Sequence, residues 1–101
     1  MATKVELSEQ VVRYVAGRAP EPRRRLRAAL RGLANEGGDI RALEGRLENY
    51  HRLRVGGHRI VFAYRISGKQ RTIQCIFAER RSVVYEVFEQ LRKQLLRSEE
   101  S

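Results

Sequence analysis

Apolar residues recur every three or four positions over the first third of the chain, every second position from Tyr50 to about Glu79, and at helical spacing again near the end. This succession predicts helices, then strands, then a closing helix. Residues 3–7, TKVEL, read as a short strand, and Ser8 is placed to cap a helix running to about Gly17, with Val11, Val12, Val15 and Ala16 on its apolar side. The break GRAPEP follows. PRRRLRAALRGLANE then reads as a second helix, with Leu26, Ala29, Leu30 and Leu33 on one stripe and Arg23, Arg24, Arg27 and Arg31 around it. It is expected to stop near Gly37 and Gly38. A short proline-containing link between two helices predicts an antiparallel helical hairpin. Residues 39–49 read as a connector pinned to the core by Ile40, Leu43 and Leu47.

Three strands fit the alternating region, at 50–55, 58–67 and 70–79, joined by tight turns at Gly56 and Gly57 and at Gly68 and Lys69. SVVYEVFEQLRKQLL closes the chain as a helix, with Ser82 as its cap and Val83, Val84, Val87, Phe88, Leu91 and Leu95 as its apolar side. Two-residue turns set the pairing. Across the first, Val55 faces His58, Arg54 faces Arg59, Leu53 faces Ile60, Arg52 faces Val61 and His51 faces Phe62. Across the second, Ser67 faces Gln70, Tyr64 faces Ile73, Phe62 faces Cys75, Val61 faces Ile76, Ile60 faces Phe77 and Arg59 faces Ala78. One face then collects Leu53, Val55, Ile60, Phe62, Tyr64, Ile73, Cys75 and Phe77, the seat for the helical hairpin. Burying each large side chain there contributes roughly 1.5–3 kcal/mol. The expected architecture is therefore α+β: an N-terminal helical hairpin packed on one face of a small antiparallel β-sheet, with a C-terminal helix. All 101 residues belong to one domain.

The opposite face collects Tyr50, Arg52, Arg54, Arg59 and Arg65 around small or polar residues: Val61, Ala63, Thr72, Gln74, Ile76 and Ala78. That describes a shallow basic trough. Like charges directly opposite one another on a sheet are unfavourable by something on the order of 0.2–1 kcal/mol. Folding gives no reason to choose Arg54 opposite Arg59, whereas an anionic partner does; the alternative is a solvated face carrying long cations. A slip of one residue would bury the arginines, so the alternation itself defends the register.

Charge extends the same picture. The chain carries 21 Lys and Arg against 12 Asp and Glu, a net charge of +9, with a sequence pI of about 10.8. Such a field favours nucleic acid or an acidic protein as partner. The hydrophobic share of 42% is that of a globular protein. No segment approaches the roughly 18 apolar residues of a membrane span, and MATKVELSEQ lacks the apolar run of a signal peptide, so a cytoplasmic location without membrane association is expected. Cys75 is alone in an apolar run. It excludes an internal disulfide and reads as a small buried hydrophobe.

Guanidinium groups fork onto phosphates, stack on bases and hold their charge at any relevant pH. Arg52, Arg54 and Arg59, joined by Arg80 and Arg81 from the end of the last strand, are candidates to grip successive phosphates. Tyr85, at the start of the closing helix, is placed to stack on a base, as proteins that hold unpaired RNA do. The same cations suit phosphodiester cleavage, where they stabilise charge that grows in the transition state. A general base is not apparent, because arginine has a pKa above about 12. By the pairing above, His51, His58 and Glu79 share the helix-covered face and read as structural. No phosphate-binding glycine loop, serine nucleophile elbow or metal-ligand spacing is present.

LEGRLENYHRLRVGGHRIVFAYRI followed by IFAERRSVVYEVFEQL resembles the RelE/ParE superfamily of toxins from bacterial type II toxin–antitoxin pairs. The resemblance covers roughly residues 41–90, and the preceding helices agree with the family's order of elements. For the RelE branch it implies a ribosome-dependent endoribonuclease that cuts messenger RNA by attack of the 2′-hydroxyl on the adjacent phosphate. Carried over residue by residue, the paired basic positions of the first hairpin strand match Arg52 and Arg54, and the arginine early in the next strand matches Arg59. The basic position after the last strand matches Arg80 or Arg81, and the tyrosine of the final helix matches Tyr85. On this basis Arg59, Arg81 and Tyr85 are expected to be catalytic and Arg52, Arg54 and Arg80 to bind RNA. Some members have lysines where this chain has Arg52 and Arg54, and an arginine, unlike a lysine, is not available as a general base. The ParE branch shares the fold and is associated with inhibition of DNA gyrase; a basic module that only binds RNA or an antitoxin is the third reading. Either toxin reading implies a cognate antitoxin in a hetero-complex, engaging the final helix through Phe88 and Leu91, while messenger RNA on the ribosome is the expected substrate. No metal or organic cofactor is implied.

Overall fold

The computed structural model describes residues 3–81, 85, 86, 88–90, 92 and 93. Its elements are β1 (Thr3–Leu7), α1 (Glu9–Ala16), α2 (Pro20–Gly32), β2 (Asp39–Ala42), β3 (His51–Val55), β4 (His58–Ser67) and β5 (Gln70–Arg80), with 3₁₀ turns at Leu33–Asn35 and Gly45–Leu47. Tyr85, Glu86, Phe88, Glu89, Gln90, Arg92 and Lys93 are helical. The expected cap Ser82 and the apolar positions Val83, Val84, Val87, Leu91 and Leu95 lie outside the described residues.

The strands form one sheet in the order β1-β5-β4-β3-β2. Two features correct the sequence expectation. The sheet is mixed, because β1 pairs in parallel with β5, and the connector at 39–49 contains an edge strand, β2, antiparallel to β3. Four residues are too few for alternation to stand out, although Ile40 does pack inward while Asp39 and Arg41 are exposed.

α1, α2 and the 3₁₀ turn that follows seat Val11, Tyr14, Val15, Leu26, Leu30 and Leu33 against Leu53, Ile60, Phe62, Ile73, Cys75 and Ala78 of the sheet. The α1 stripe differs from expectation by one residue: Val12 is 50% exposed, and Tyr14 is buried in its place. Positions 11, 14 and 15 are the tighter helical set, three and four apart. Burying Tyr14 also gives its hydroxyl a partner, His58 Nδ1 at 2.7 Å. His51 lies on this same side, stacked on Phe62 with centroids 5.6 Å apart. Cys75 is buried and free, with its thiol pushed up to about 12 by desolvation.

The β3–β4 register is the expected one throughout. Between β4 and β5 the expected pairs hold from Ser67 and Gln70 to Phe62 and Cys75, after which a bulge shifts the ladder by one: Val61 pairs with Phe77, Ile60 with Ala78, Arg59 with Glu79 and His58 with Arg80. Ile76 is the extra residue. Its carbonyl accepts from Ser8 Oγ at 2.7 Å, and Ser8 Oγ in turn caps α1 by accepting from Val11 N at 3.2 Å. Two residues on, the Gln10 amide pairs with both backbone groups of Ala78, each at 2.7 Å. The bulge moves Phe77 to the far face and Ala78 to the helix side, exchanging the faces expected for them. A bulge is set by backbone partners of the bulged strand, which alternation does not record.

Two expected outcomes test this packing. Gly38 has φ of +110° and a Cβ there would meet Leu53 Cδ1 at 2.9 Å, so Gly38→Ala is expected to destabilise by roughly 1–3 kcal/mol in urea unfolding. His58 titrates below its ordinary 6.5 because burial, then Arg18, Arg25, Arg80 and Arg59, disfavour its charged form. The unfolded chain therefore binds a proton near pH 6.5 that the folded chain refuses, and the stability held above that pH declines as the pH falls toward the folded value. The urea midpoint of the native chain should drop on acidification through this window more steeply than that of His58→Gln.

Candidate nucleic-acid interface

The far face of the sheet divides into an apolar centre and a basic end. At the centre, Leu47, Val61, Phe77 and Phe88 are buried together, flanked by Leu43, Tyr50, Ile76 and Tyr85. Phe88 is 2% exposed and meets Tyr50 edge-on, with centroids 5.0 Å apart. An ion pair from Glu89 to Arg46 at 3.2 Å ties the closing helical residues to the segment before β3. This contact carries Tyr85 to the sheet. The trough is thus not open along its length, and Phe88 is engaged with its own sheet rather than free for a partner.

The basic end is built by β2, β3, β4 and the residue after β5. Arg54 lies directly opposite Arg59, and Arg41 of β2 lies opposite Arg52. Arg52 and Arg59 are only 9% and 6% exposed. Both are held by main-chain oxygens: Arg52 Nη1 donates to Asp39 O at 3.2 Å, and Arg59 Nη1 donates to Gly56 O and His58 O at 2.8 and 2.9 Å. Gly56, with φ of +57°, shapes the turn that aims its carbonyl at Arg59. The intervening carbonyl, Gly57 O, accepts from Arg81 N at 2.9 Å and so fixes the backbone of the second arginine.

Asp39 is the acid of the site. Its carboxylate lies 3.3 Å from Arg52 and 3.9 Å from Arg54. Arg59 has no ion-pair partner among the described residues. Burial first, then Arg54 and Arg52, press its pKa below the ordinary guanidinium value, with Arg81 adding to the effect and Tyr85 opposing it. It remains a cation at neutral pH. The arrangement is a fixed, partly desolvated positive charge with further guanidiniums around it. Such a site can bind a phosphate and stabilise charge accumulating on its oxygens.

Of the expected residues, the fold therefore gathers Arg52, Arg54, Arg59, Arg81 and Tyr85. Arg80 is separated from them: the bulge pairs it with His58, and its charge acts on His58 and Tyr14 on the helix side. Glu79 is moved too. It stands opposite Arg59 rather than His58, yet its carboxylate turns back to accept Arg80 N at 2.8 Å. Arg65 faces Thr72 and lies 3.7 Å from Glu6, toward the other end of the sheet. Asp39 and Arg41 escaped the sequence reading because they belong to the unrecognised β2. The inward Ile40 between two charged residues was the available signal.

No protein-family model and no curated protein matches the sequence. Solved structures do match the fold. The YoeB/ParE toxin from Agrobacterium tumefaciens superposes with a TM-score of 0.64 at 16% identity, over 76% of this chain and 97% of that one. The archaeal RelE–RelB complex from Pyrococcus horikoshii gives 0.61 at 23% identity, over 80% and 97%. The RelBE2 toxin–antitoxin complex from Mycobacterium tuberculosis gives 0.58 at 21%, over 80% of this chain and all of that one. The chain thus has the fold of the RelE and YoeB/ParE toxins, over nearly the whole length of each.

Proposed function

We propose that this protein is the toxin of a toxin–antitoxin pair and acts as a metal-independent endoribonuclease on messenger RNA bound to the ribosome. The observation that carries the reading is Arg59. A guanidinium that is 6% exposed, without an acid of its own among the described residues and pressed by Arg54 and Arg52, is an unfavourable choice for folding alone. Its cost is understandable if an anion completes it. The toxin fold supports the same conclusion, as does the presence of an antitoxin in the Pyrococcus and Mycobacterium complexes.

In the proposed reaction, the 2′-oxygen of one nucleotide bonds to the adjacent phosphorus and the bond from phosphorus to the 5′-oxygen breaks. The 2′-hydroxyl loses its proton and the leaving 5′-oxygen gains one, giving a cyclic phosphate and a free 5′-hydroxyl. Arg59 and Arg81 stabilise the charge that builds on the non-bridging oxygens. Arg52 and Arg54 position the backbone, and Tyr85 orients a base. The Nη1 of Arg59 is committed to two carbonyls; Nε and Nη2 are the edge offered to phosphate. Asp39, half-exposed beside Arg52 and Arg54, offsets part of the positive charge of the site. An antitoxin rich in acidic and apolar residues suits the +9 surface.

Induction of the native chain is expected to produce new cuts at ribosome-bound codons in primer-extension maps. Arg59→Ala should reduce cutting by roughly 10²–10³-fold, the usual loss for one oxyanion donor, while remaining folded by urea titration. Arg59→Lys should recover little, since an ammonium cannot fork between two carbonyls and a phosphate. Uncut messages with growth arrest and gyrase-linked DNA breaks would overturn the ribonuclease reading in favour of the ParE-like one.

A further inference from the structure

A second cluster of cations lies across the sheet from the Arg59 face, around His58. His58 and Tyr14 are joined at 2.7 Å, with rings edge-on and centroids 5.7 Å apart. Three elements bring arginines to this pair. Arg18, just past α1, lies over the Tyr14 ring at 4.3 Å and donates from Nε to Tyr14 O at 3.0 Å. Arg25 of α2 reaches the β3–β4 turn, its Nη1 3.6 Å from where a Cβ on Gly56 would stand. Arg80, at the end of β5, pairs across the ladder with His58. None of the three forms an ion pair among the described residues. Glu79 is the neighbouring acid; its charge acts on Tyr14 and its carboxylate accepts the Arg80 N–H, leaving the three guanidiniums in excess.

The two basic clusters share a border. His58 and Arg59 are consecutive on β4 and point to opposite faces, and the Gly56–Gly57 turn is the rim between them. We propose that Arg18, Arg25 and Arg80, gathered on the His58–Tyr14 pair, form a second phosphate-binding site, which takes the backbone of the same RNA strand after it passes over the turn from the Arg59 face. The proposal rests on the RNA reading of that face. A single strand is flexible enough to bend around one β-hairpin tip, and successive phosphates repel unless cations meet each of them. Arg80 then retains a part in RNA binding, from the side opposite to the one expected.

Binding of a short 2′-O-methyl RNA, which cannot be cut, is measured against salt for the full chain. The variant Arg18→Ala, Arg25→Ala, Arg80→Ala should lower the slope of log affinity against log salt by about 2, at ~0.7 per lost phosphate contact on a single strand. Removing Arg24, Arg27 and Arg31 of α2 instead, an equal loss of charge, should change it by less than about half as much. Equal changes in the two triple variants overturn the proposal. The same comparison in an Arg59→Ala background separates the two readings: an unaltered slope on Arg59→Ala alone counts against the Arg59 site, while persistence of the triple-variant effect upholds this one. In the native chain the His58 imidazole, followed by NMR, should titrate higher with RNA bound, because a phosphate offsets the surrounding cations. A His58 titration unmoved by saturating RNA overturns the proposal whether or not the variants fold.

Discussion

Ser8 and Gln10 hold the extra residue of β5 in place, and the assignment of side chains to the two faces follows from that. Where β1 ends at Leu7, the polar groups of β5 lose their strand partner. The Ser8 hydroxyl takes the Ile76 carbonyl, and the Gln10 amide takes both groups of Ala78. Buried backbone groups must find partners, and here side chains from α1 supply them. With Ile76 outside the ladder, Phe77 drops onto Val61 and Phe88, Ala78 fills the helix side, and Arg80 is carried away from Arg59. A change at the first turn of α1 thereby decides which cations meet on the far face.

The electrostatics of the two faces differ in kind. Asp39 relieves Arg52 and Arg54, whereas Arg59 is stabilised by the oxygens of its own turn. Carbonyl dipoles hold a guanidinium without cancelling its charge. The site is therefore rigid and still positive, a combination that an ion pair would not give. On the helix side, burial first and then the neighbouring arginines hold the His58 pKa below its ordinary value.

Much of this was legible in the alternation from Tyr50 onward. Leu53, Ile60, Phe62 and Ile73 could sit only on a buried face, and two glycine-containing turns fixed the pairing of β3 with β4 and of most of β5. The candidate site was legible for Arg52, Arg54 and Arg59, which share one hairpin. It was less so for Arg80 and Arg81, whose faces depend on a bulge sealed from a residue 68 positions away. Asp39 was hidden because β2 has four residues and derives its pairing from β3 rather than from its own propensity. The depth of Arg59 was also invisible, since alternation gives a direction and not a covering layer.

Three consecutive carbonyls, those of Gly56, Gly57 and His58, receive the Arg59 side chain and the Arg81 backbone. The scaffold of the basic end is accordingly peptide, not side chain. Peptide dipoles keep their direction under most amino-acid exchanges, so drift of the surrounding sequence can proceed far while the cations stay aimed. What such a scaffold does not tolerate is a change in loop length. In chains of this fold, the spacing between the two hairpin strands is then a better guide to a retained cationic centre than the percentage of identical residues.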